Sequence, residues 1–394
     1  MKVLQVNNVY GEKSTGKLTR QLYEGLLERG HQSLVVFGRG NGLESDTVIR
    51  LCPEWYGKLN AALSRLTGMP YGGCLFSTAR LRRIIRREKP DVVHLQCING
   101  NFVNIYSLIR WLNKQGIATV VSLHAEFMYT GNCGHAFECD QWKQGCKRCP
   151  DPKKANHSWL FDRTAASWRR MYRAFQGFEN CVVCPVSPWT AQRNAQGRML
   201  EGRRSVTVLN GVDDTFCYAP CEKKEQILHV TAQFDTNPQH PKGGWYLLEL
   251  ARRMPEYQFL VAGNAAYVAD TPKNVTLLGQ VQDQSELAEL YRTSCCSLVL
   301  SRRETFSMPC AESLCCGTPV VGFKAGAPEQ ISLPEYSDFV EFGDLEGLEK
   351  VLRRRLDNPG RPEQISQAAA RAYSTDTMVQ GFLEVYQCLT DSKK

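Results

Sequence analysis

Two glutamates in the second half of the chain have the spacing to bind a sugar nucleotide. Glu304 and Glu312 flank Pro309, a favoured residue for the first turn of a helix, in the segment SRRETFSMPCAESLCCGTPVVG. A helix start there would offer backbone N–H groups to a phosphate, and each carboxylate could accept hydrogen bonds from vicinal hydroxyls. This pattern predicts a site for a nucleotide diphosphate sugar. By spacing alone, the two glutamates could also be a loop residue and a solvated helix residue.

A second group with chemical potential is four cysteines in one short polar loop, Cys133, Cys139, Cys146 and Cys149. The last two have the Cys-x2-Cys spacing of zinc ligands. A loop with so little apolar content needs a cross-link, which a metal ion supplies. We therefore predict a structural zinc ion, with His135 as a substitute ligand and with no open position for catalysis. Free thiols remain an alternative, as do disulfides, although a reducing cytoplasm disfavours them.

The composition is that of a globular protein with two domains. The chain has 394 residues, of which 43% are hydrophobic, and its net charge is +8. Residues 81–89 and 167–175 predict basic amphipathic helices, which suit an anionic membrane surface as well as a plain solvated one. Met1 leads directly into a strand pattern, and no apolar run has the length of a membrane span. We expect a cytoplasmic protein, peripheral on the inner membrane face, without a nucleic-acid partner.

Strand and helix patterns alternate through both halves of the chain. In the first helix, Leu18, Leu22 and Leu26 form one apolar stripe between two strand patterns. Such alternation predicts an α/β protein with two Rossmann-like, doubly wound domains facing a cleft, in which ligands bind at the carboxyl ends of the strands. Cys181 and Cys184 also have ligand spacing, but within a strand they point to opposite faces, so we predict core thiols. The predicted limits are 1–205 for the first domain with a cysteine-rich insertion at 130–152, 206–375 for the second, and 376–394 for a last helix that could return to the first domain.

The ordered segments resemble the signature of the retaining glycosyltransferases of family 4, which have the GT-B architecture. The likeness includes the cysteine-rich loop of an exopolysaccharide and capsule branch. The matching pieces are Glu304, Phe306, Pro309 and Glu312, the sequence CGTPVV at 316–321, LNGVDDTF at 209–216, and Lys242-Gly243.

The resemblance implies a role for individual residues. Glu312 would bind the ribose hydroxyls, Glu304 would contact the donor sugar, and Lys242 would bind the diphosphate and stabilise the leaving group. Gly16, in a turn at 14–17, would let the backbone approach the phosphates, and His124 would lie near the reacting sugar. The remaining donor-binding positions are Thr305, Phe306, Ser307 and Met308. Each residue also has a plainer interpretation: a surface lysine, a structural histidine or a turn glycine.

The sequence departs from the family pattern at three places. The arginine expected shortly before the lysine is missing, and only His240 lies nearby, so that Lys17 or a nest of backbone amides could stand in. Ala125-Glu126 stand where an aspartate is common. Ser307 replaces a frequent glycine.

The resemblance implies transfer with retention, in which the donor phosphate assists the acceptor's deprotonation and no catalytic divalent metal takes part. The donor would be a nucleotide diphosphate sugar, with the uridine form favoured over the guanosine form, and the acceptor a saccharide or lipid-linked saccharide of the cell surface. A nucleotide-sugar epimerase or hydrolase is an alternative, as is a non-catalytic binding protein. Donor turnover without acceptor would indicate the first, and absence of turnover the second.

Overall fold

The computed structural model describes residues 1–153, 157–268 and 270–391, and it divides into two compact units. The first consists of Met1–Leu209 together with the chain from Met378 onward, and the second is Asn210–Thr377. No helix in these described ranges is both long and apolar enough to cross a membrane.

The first unit contains a parallel sheet of seven strands in the order β3-β2-β1-β4-β5-β6-β7. The strands are β1 Lys2–Asn7, β2 Gln32–Phe37, β3 Val48–Arg50, β4 Val92–Leu95, β5 Thr119–Leu123, β6 Cys181–Pro185 and β7 Arg204–Ser205. The helices are α1 Lys13–Glu28, α2 Glu54–Thr67, α3 Leu75–Glu88, α4 Ile105–Lys114, α5 Phe127–Thr130, α6 Thr164–Phe175 and α7 Pro188–Ala195, with a 3-10 turn at Gln141–Lys143.

The second unit contains a parallel sheet of six strands in the order β10-β9-β8-β11-β12-β13. The strands are β8 Lys224–Asp235, β9 Gln258–Tyr267, β10 Val275–Gly279, β11 Ser294–Val299, β12 Val320–Phe323 and β13 Ser337–Val340. The helices are α8 Gly244–Arg253, α9 Gln284–Thr293, α10 Met308–Cys315, α11 Pro328–Ile331, α12 Leu345–Asp357 and α13 Pro362–Tyr373, and α14 Thr375–Asp391 follows. Two parallel, helix-covered sheets confirm the α/β prediction.

The core of the first unit has a layer on each face of its sheet. The leucine stripe of α1 is buried on one face, where it packs with Val379, Phe382 and Tyr386 of α14. The last helix therefore completes the first unit. Cys181 and Cys184 are both buried, and they belong to different core layers, as their positions in one strand predict.

The two basic helices predicted at 81–89 and 167–175 form as α3 and α6, but their apolar sides are occupied. Leu81 and Ile85 of α3, and Met171 and Phe175 of α6, are all buried in the core of the first unit. The apolar residues predicted at 81–89 and 167–175 are therefore not available to a bilayer, although Leu75 and Phe76 in the first turn of α3 are exposed.

Candidate active site

Lys242 and Glu304 form an ion pair in the second unit, although 62 positions separate them. The ammonium Nζ of Lys242 lies 2.7 Å from Oε1 of Glu304. The side chains keep 33% and 21% of their surface exposed, so a ligand can reach the pair. Lys242 follows β8 and Glu304 follows β11, which are neighbouring parallel strands. The carboxyl ends of parallel strands are where ligands bind in such sheets.

Gly243 makes this pairing geometrically feasible. Its φ is +70°, and a Cβ atom at this position would lie 2.2 Å from the carbonyl oxygen of Leu300. A side chain would thus meet both an unfavourable backbone conformation and a backbone clash. Gly243 allows its backbone to approach the end of β11 closely. This approach brings the neighbouring Lys242 to Glu304.

The backbone of Glu304 is fixed against the segment that follows β12. Its N–H donates to the carbonyl of Ala325 at 2.9 Å, and its carbonyl accepts from the N–H of Ala327 at 3.2 Å. The carboxylate of Glu329 in turn accepts from the N–H groups of Ala325 and Gly326 at 3.0 Å. The carboxylate of Glu304 therefore projects from a braced loop.

The helix start predicted after Glu304 is present as α10. It begins at Met308, one residue before Pro309, and Gly317 with a φ of +77° lies just past its end. Thr305 and Phe306 are buried, and the ring of Phe306 packs edge-on against Tyr373. Met308 is half-buried.

Ser307 caps this helix in a left-handed conformation, with φ 85° and ψ 83°. Its carbonyl accepts from the N–H groups of Cys310 and Ala311, while its hydroxyl makes no capping bond to the described residues. A non-glycine residue in this region costs on the order of 1 kcal/mol. A glycine, which the family resemblance led us to expect at this position, would adopt this conformation without strain.

Glu312 is held by a residue that sequence analysis missed. The hydroxyl of Tyr291 donates to Oε2 of Glu312 at 3.3 Å. Tyr291 is completely buried, and burial raises its pKa well above the ordinary value, so that the phenol stays protonated. Tyr291 is on α9, 21 positions before Glu312, and no local pattern links the two.

His229 is a second missed residue near the ion pair. Its Nδ1 lies 3.0 Å from the carbonyl oxygen of Leu298 and therefore donates the hydrogen, whereas Nε2 has no partner among the described residues. Burial lowers the pKa of His229 to about 4; the hydrogen bond to Leu298 opposes this shift and the nearby charge of Lys242 adds to it. The imidazole is consequently neutral at physiological pH.

His124 follows β5 in the first unit and is fixed by Gln96. Its Nε2 lies 2.7 Å from Oε1 of Gln96, and since an amide oxygen accepts, Nε2 carries the hydrogen. Burial lowers the pKa of His124 to about 4, so the ring is neutral. Gln96 follows β4 directly. Gln96 could have been predicted as a partner of His124, because it is a polar residue at the end of a strand adjacent to β5.

The prediction that residues 14–17 form a turn is wrong. These residues lie in the first turn of α1, which begins at Lys13, and the turn precedes the helix at Gly11 with a φ of +70°. The backbone of Gly16 still packs closely against the segment that precedes α1. A Cβ at Gly16 would lie 3.0 Å from Cγ2 of Val9, and the carbonyl of Gly16 accepts from the N–H of Gly11.

Glu126 belongs to the second position, Ala125-Glu126, at which the sequence departs from the family pattern. Its side chain is buried and makes contacts with two other segments. Its Oε2 lies 3.2 Å from Nη2 of Arg193, and its Oε1 lies 3.6 Å from Nδ1 of His135. Burial opposes ionisation, but the neighbouring His135 and the charge of Arg193 outweigh it and keep the pKa of Glu126 below its usual range. The guanidinium of Arg193 also lies 4.9 Å from the ring centre of Trp142. Glu126 thus ties the segment after His124 to α7 and to the cysteine-rich loop.

The four cysteines of that loop are neighbours in space. Burial raises the pKa of the Cys133 thiol, and the other three thiols of the loop raise it further. Burial likewise raises the pKa of Cys146 to about 12, again with contributions from Cys139 and Cys149. None of the 17 cysteines, all of which lie in the described ranges, forms a disulfide. As the side chains stand, no three His, Cys, Asp or Glu residues of the described ranges are close enough to hold a metal ion.

Comparison with known proteins decides the family. The sequence model described as Glycosyltransferase Family 4 matches residues 15–216, which is more than half of the chain. The protein belongs to glycosyltransferase family 4. A second model, described as Glycosyl transferases group 1, matches residues 234–372 of this glycosyltransferase and includes Lys242, Glu304 and Glu312.

Relatives of the glycosyltransferase cover nearly its whole length. A candidate colanic acid biosynthesis glycosyl transferase, WcaC of Escherichia coli strain K12, is 22% identical over 99% of this chain and 100% of its own. The solved sucrose-phosphate synthase of Thermosynechococcus elongatus has a TM-score of 0.69 at 15% identity, covering 99% of each chain. HepE of Anabaena, solved with UDP, has a TM-score of 0.64 at 14% identity, covering 98% of this chain and 100% of its own. The two sheets are those of the GT-B fold.

Proposed function

We propose that this glycosyltransferase moves a sugar, with retention of anomeric configuration, from a uridine diphosphate sugar to a saccharide or lipid-linked saccharide during cell-surface polysaccharide synthesis. The observation that carries the proposal is the contact between Lys242 and Glu304 at the start of α10. It places a cation, a carboxylate and the N-terminal end of a helix at one edge of the second sheet. A nucleotide diphosphate sugar offers the complementary groups: phosphate oxygens and hydroxyls on both sides of them.

Each side chain has a task in this proposal. The N–H groups of Ser307 and Met308 at the start of α10 and the ammonium of Lys242 bind the diphosphate. Glu312, oriented by Tyr291, accepts hydrogen bonds from the ribose hydroxyls, and Glu304 accepts from a hydroxyl of the donor sugar. Thr305, Phe306, Ser307 and Met308 shape the loop around the phosphates. In the first unit, His124 is the proposed contact of the reacting sugar, and Gly16 lies at the helix start proposed to face the phosphates.

The chemistry divides among donor, acceptor and protein. The bond between the anomeric carbon and the phosphate oxygen breaks, and a bond from that carbon to the acceptor oxygen forms on the same face. The acceptor proton passes to the leaving phosphate oxygen. Lys242 stabilises the negative charge that develops on this oxygen, which is the main contribution that a fixed cation makes. We propose that no divalent metal takes part, since Lys242 and backbone amides supply the positive charge.

The nucleotide and the pathway are supported by relatives. HepE of Anabaena was solved with UDP and with UDP-glucose, which favours uridine as the base. The name of WcaC assigns it to colanic acid biosynthesis, which favours a saccharide acceptor.

The donor is identified by thermal shift with UDP, GDP and ADP and with their sugars. We expect UDP and one UDP-sugar to raise the melting temperature of the wild type, and we expect Glu312→Gln to reduce the shift. A shift with GDP alone would contradict the choice of base. Retention is tested by nuclear magnetic resonance of the anomeric proton in the product, and an inverted product would overturn the mechanism.

The rival functions give different outcomes in the same assays. An epimerase or hydrolase would convert the donor at the same rate with and without a saccharide acceptor. A binding protein would show the thermal shift but no turnover, and Lys242→Ala would then leave the measured rate unchanged at background.

We also propose that Cys133, Cys139, Cys146 and Cys149 bind a structural zinc ion. Their spacing in the sequence supports this, and thiolate sulfur is a preferred zinc ligand. The ion would replace the missing regular structure of the loop, whose fixed points include the bond from Trp142 Nε1 to the carbonyl of Cys139 at 2.8 Å.

Metal content tests this directly. We expect one zinc ion per chain by inductively coupled plasma mass spectrometry and its loss in Cys146→Ser with Cys149→Ser. Cys217→Ser, which changes an exposed cysteine of the second unit, should keep the metal. In the absence of metal, 17 reactive thiols in Ellman's assay of the denatured chain would indicate free loop cysteines, and 13 would indicate two disulfides in the loop. Either result would overturn the zinc site without affecting the transferase proposal.

A further inference from the structure

Helix α2 exposes its apolar side, whereas an ordinary surface helix buries that side. Its buried residues are Gly57 and Asn60. The stripe formed by Trp55, Leu59 and Leu63 faces outward, and these side chains keep between 49% and 65% of their surface exposed. A helix that packs on a core normally buries its leucines and exposes its small and polar residues. The sequence of α2 therefore fits a second apolar environment outside the unit.

The exposed stripe continues onto two neighbouring segments. The N–H of Trp159 donates to the carbonyl of Arg65 at 2.8 Å, and the carbonyl of Phe161 lies against Gly68 at the end of α2. On the other side, the N–H of Cys74 donates to Oδ1 of Asn60 at 2.8 Å, which fixes the start of α3 to the middle of α2. We call the resulting surface the apolar face. It consists of Trp55, Leu59, Leu63, Leu66, Leu75, Phe76, Trp159, Leu160 and Phe161, all classed as exposed.

Basic side chains lie within and beside the apolar face. Lys58 is on α2, and the guanidinium of Arg65 lies 5.8 Å from the ring centre of Trp159. The guanidinium of Arg163 lies at the same distance from the ring centre of Phe161. Positive charge among exposed tryptophan and leucine is the composition of surfaces that lie in the headgroup region of a bilayer.

The acidic groups of this surface are already engaged. Glu54 lies 3.4 Å from Nη1 of Arg39. The carboxylate of Asp162 accepts from the N–H of Cys149 at 2.7 Å and from the hydroxyl of Thr164 at 2.7 Å. These contacts do not remove the carboxylate charges, but Lys58, Arg65, Arg163 and Arg39 outnumber Glu54 and Asp162, so the net charge of this surface is positive.

The apolar residues of α6, and those of α3 beyond its first turn, pack in the core, but the arginines of both helices extend the positive surface. Arg80 and Arg83 of α3 are exposed and follow Phe76 along the helix. Arg170 of α6 is exposed, and its guanidinium lies against Gly72 between α2 and α3. The positive surface is thus broader than α2 itself. Its charge is complementary to that of an anionic surface.

We propose that the apolar face docks on an anionic lipid bilayer. Trp55, Leu59 and Leu63 enter the boundary between headgroups and acyl chains, and Lys58 and Arg65 bind lipid phosphates. This contact holds the first unit at a membrane surface whether or not the acceptor carries a lipid, so it does not depend on the proposed function.

Vesicle flotation with the full chain tests the docking. We expect the wild type to float with vesicles of phosphatidylcholine and phosphatidylglycerol at low salt, and to float less with pure phosphatidylcholine or at high salt. Leu59→Ser with Leu63→Ser should weaken binding by at least about tenfold, because two partly inserted leucines are lost. The matched control is Leu277→Ser with Leu278→Ser, which changes two exposed leucines of the second unit.

Several outcomes would overturn the proposal. They are absence of flotation by the wild type, equal flotation of the α2 variant and the control, and flotation that does not change with lipid charge or salt. Light scattering on the same samples tests whether a second copy of the chain, and not a bilayer, occupies the apolar face. A wild-type dimer that becomes a monomer in the α2 variant would assign the apolar face to a second copy of the chain. Melting temperatures of both variants within a few degrees of the wild type would show that folding is intact.

Discussion

The hydroxyl of Tyr291 donates to the carboxylate of Glu312 from a fully buried position, at 3.3 Å. A carboxylate that projects from a short helix toward solvent is free to rotate, and a hydrogen bond from a rigid phenol reduces that freedom. Tyr291 is therefore a positioning residue for the proposed ribose site.

Tyr291→Phe should raise the donor KM by about fivefold and change kcat less, since a hydrogen bond to a charged group contributes roughly 1.5–3 kcal/mol, part of which water replaces. The matched control is Tyr23→Phe, which removes a 2.7 Å hydrogen bond to Thr47 in the first unit. Steady-state kinetics with varied donor concentration measure the difference. Equal KM values for the two variants would remove the positioning role.

Lys242→Ala should lower kcat by about a hundredfold or more, because the leaving phosphate then loses its fixed cation. Glu304→Gln should lower kcat/KM, since a neutral amide accepts a sugar hydroxyl less strongly than a carboxylate. Lys2→Ala serves as control. It breaks a pair with Glu88 that has a similar distance of 2.8 Å and similar exposure, but lies in the first unit. Wild-type kinetics in Lys242→Ala would place the pair outside the site.

Gly243→Ala should destabilise the second unit by more than about 2 kcal/mol, since its Cβ meets the carbonyl of Leu300 in addition to the unfavourable φ. Gly279→Ala separates the two effects. Gly279 has a φ of +71° with no atom within 4 Å of the added Cβ, so about 1 kcal/mol is expected there. Urea unfolding of both variants provides the comparison, and equal losses would contradict the clash.

Ser307→Gly should be at least as stable as the wild type and keep its activity, because glycine adopts the left-handed conformation without strain. Ser307→Val should lose more than about 1 kcal/mol, since a β-branched side chain is poorly accommodated at φ 85°. Ser307→Ala isolates the contribution of the hydroxyl. A valine variant as stable as the glycine variant would show that the backbone relaxes at this position.

Stability should decrease as the pH falls from about 6.5 toward 4. Burial depresses the pKa of His94, His124 and His229 in the folded protein, the last two to about 4, whereas the unfolded chain titrates near 6.5. In this window the unfolded state binds more protons, so the free energy of unfolding rises with pH.

Substitution of a single histidine tests that dependence. His229→Gln should reduce the slope of the unfolding free energy against pH by up to about 1.4 kcal/mol per pH unit near pH 5, which corresponds to one proton. His31→Gln, at a half-buried position before β2, is the comparison variant. A slope unaffected by His229→Gln would mean that this ring has the same pKa in the folded and unfolded states.

Features that depend on local spacing could be predicted from the sequence. The leucine stripe of α1, the strand position of Cys181 and Cys184, and the helix start near Pro309 follow from periodicity and from helix-terminus preferences. These preferences act within a few residues along the chain, so they can be recognised before folding is considered. The resemblance of ordered motifs then added the family and the proposed roles.

Contacts between residues that lie far apart in the sequence were seen only in the folded structure. The pairing of Lys242 with Glu304, the support of Glu312 by Tyr291 and the return of α14 to the first unit depend on strand order and packing. The same applies to the outward stripe of α2, whose sequence has an ordinary amphipathic pattern. Periodicity states that a helix has an apolar side but not which way that side faces, because the direction is set by what the rest of the fold packs against it.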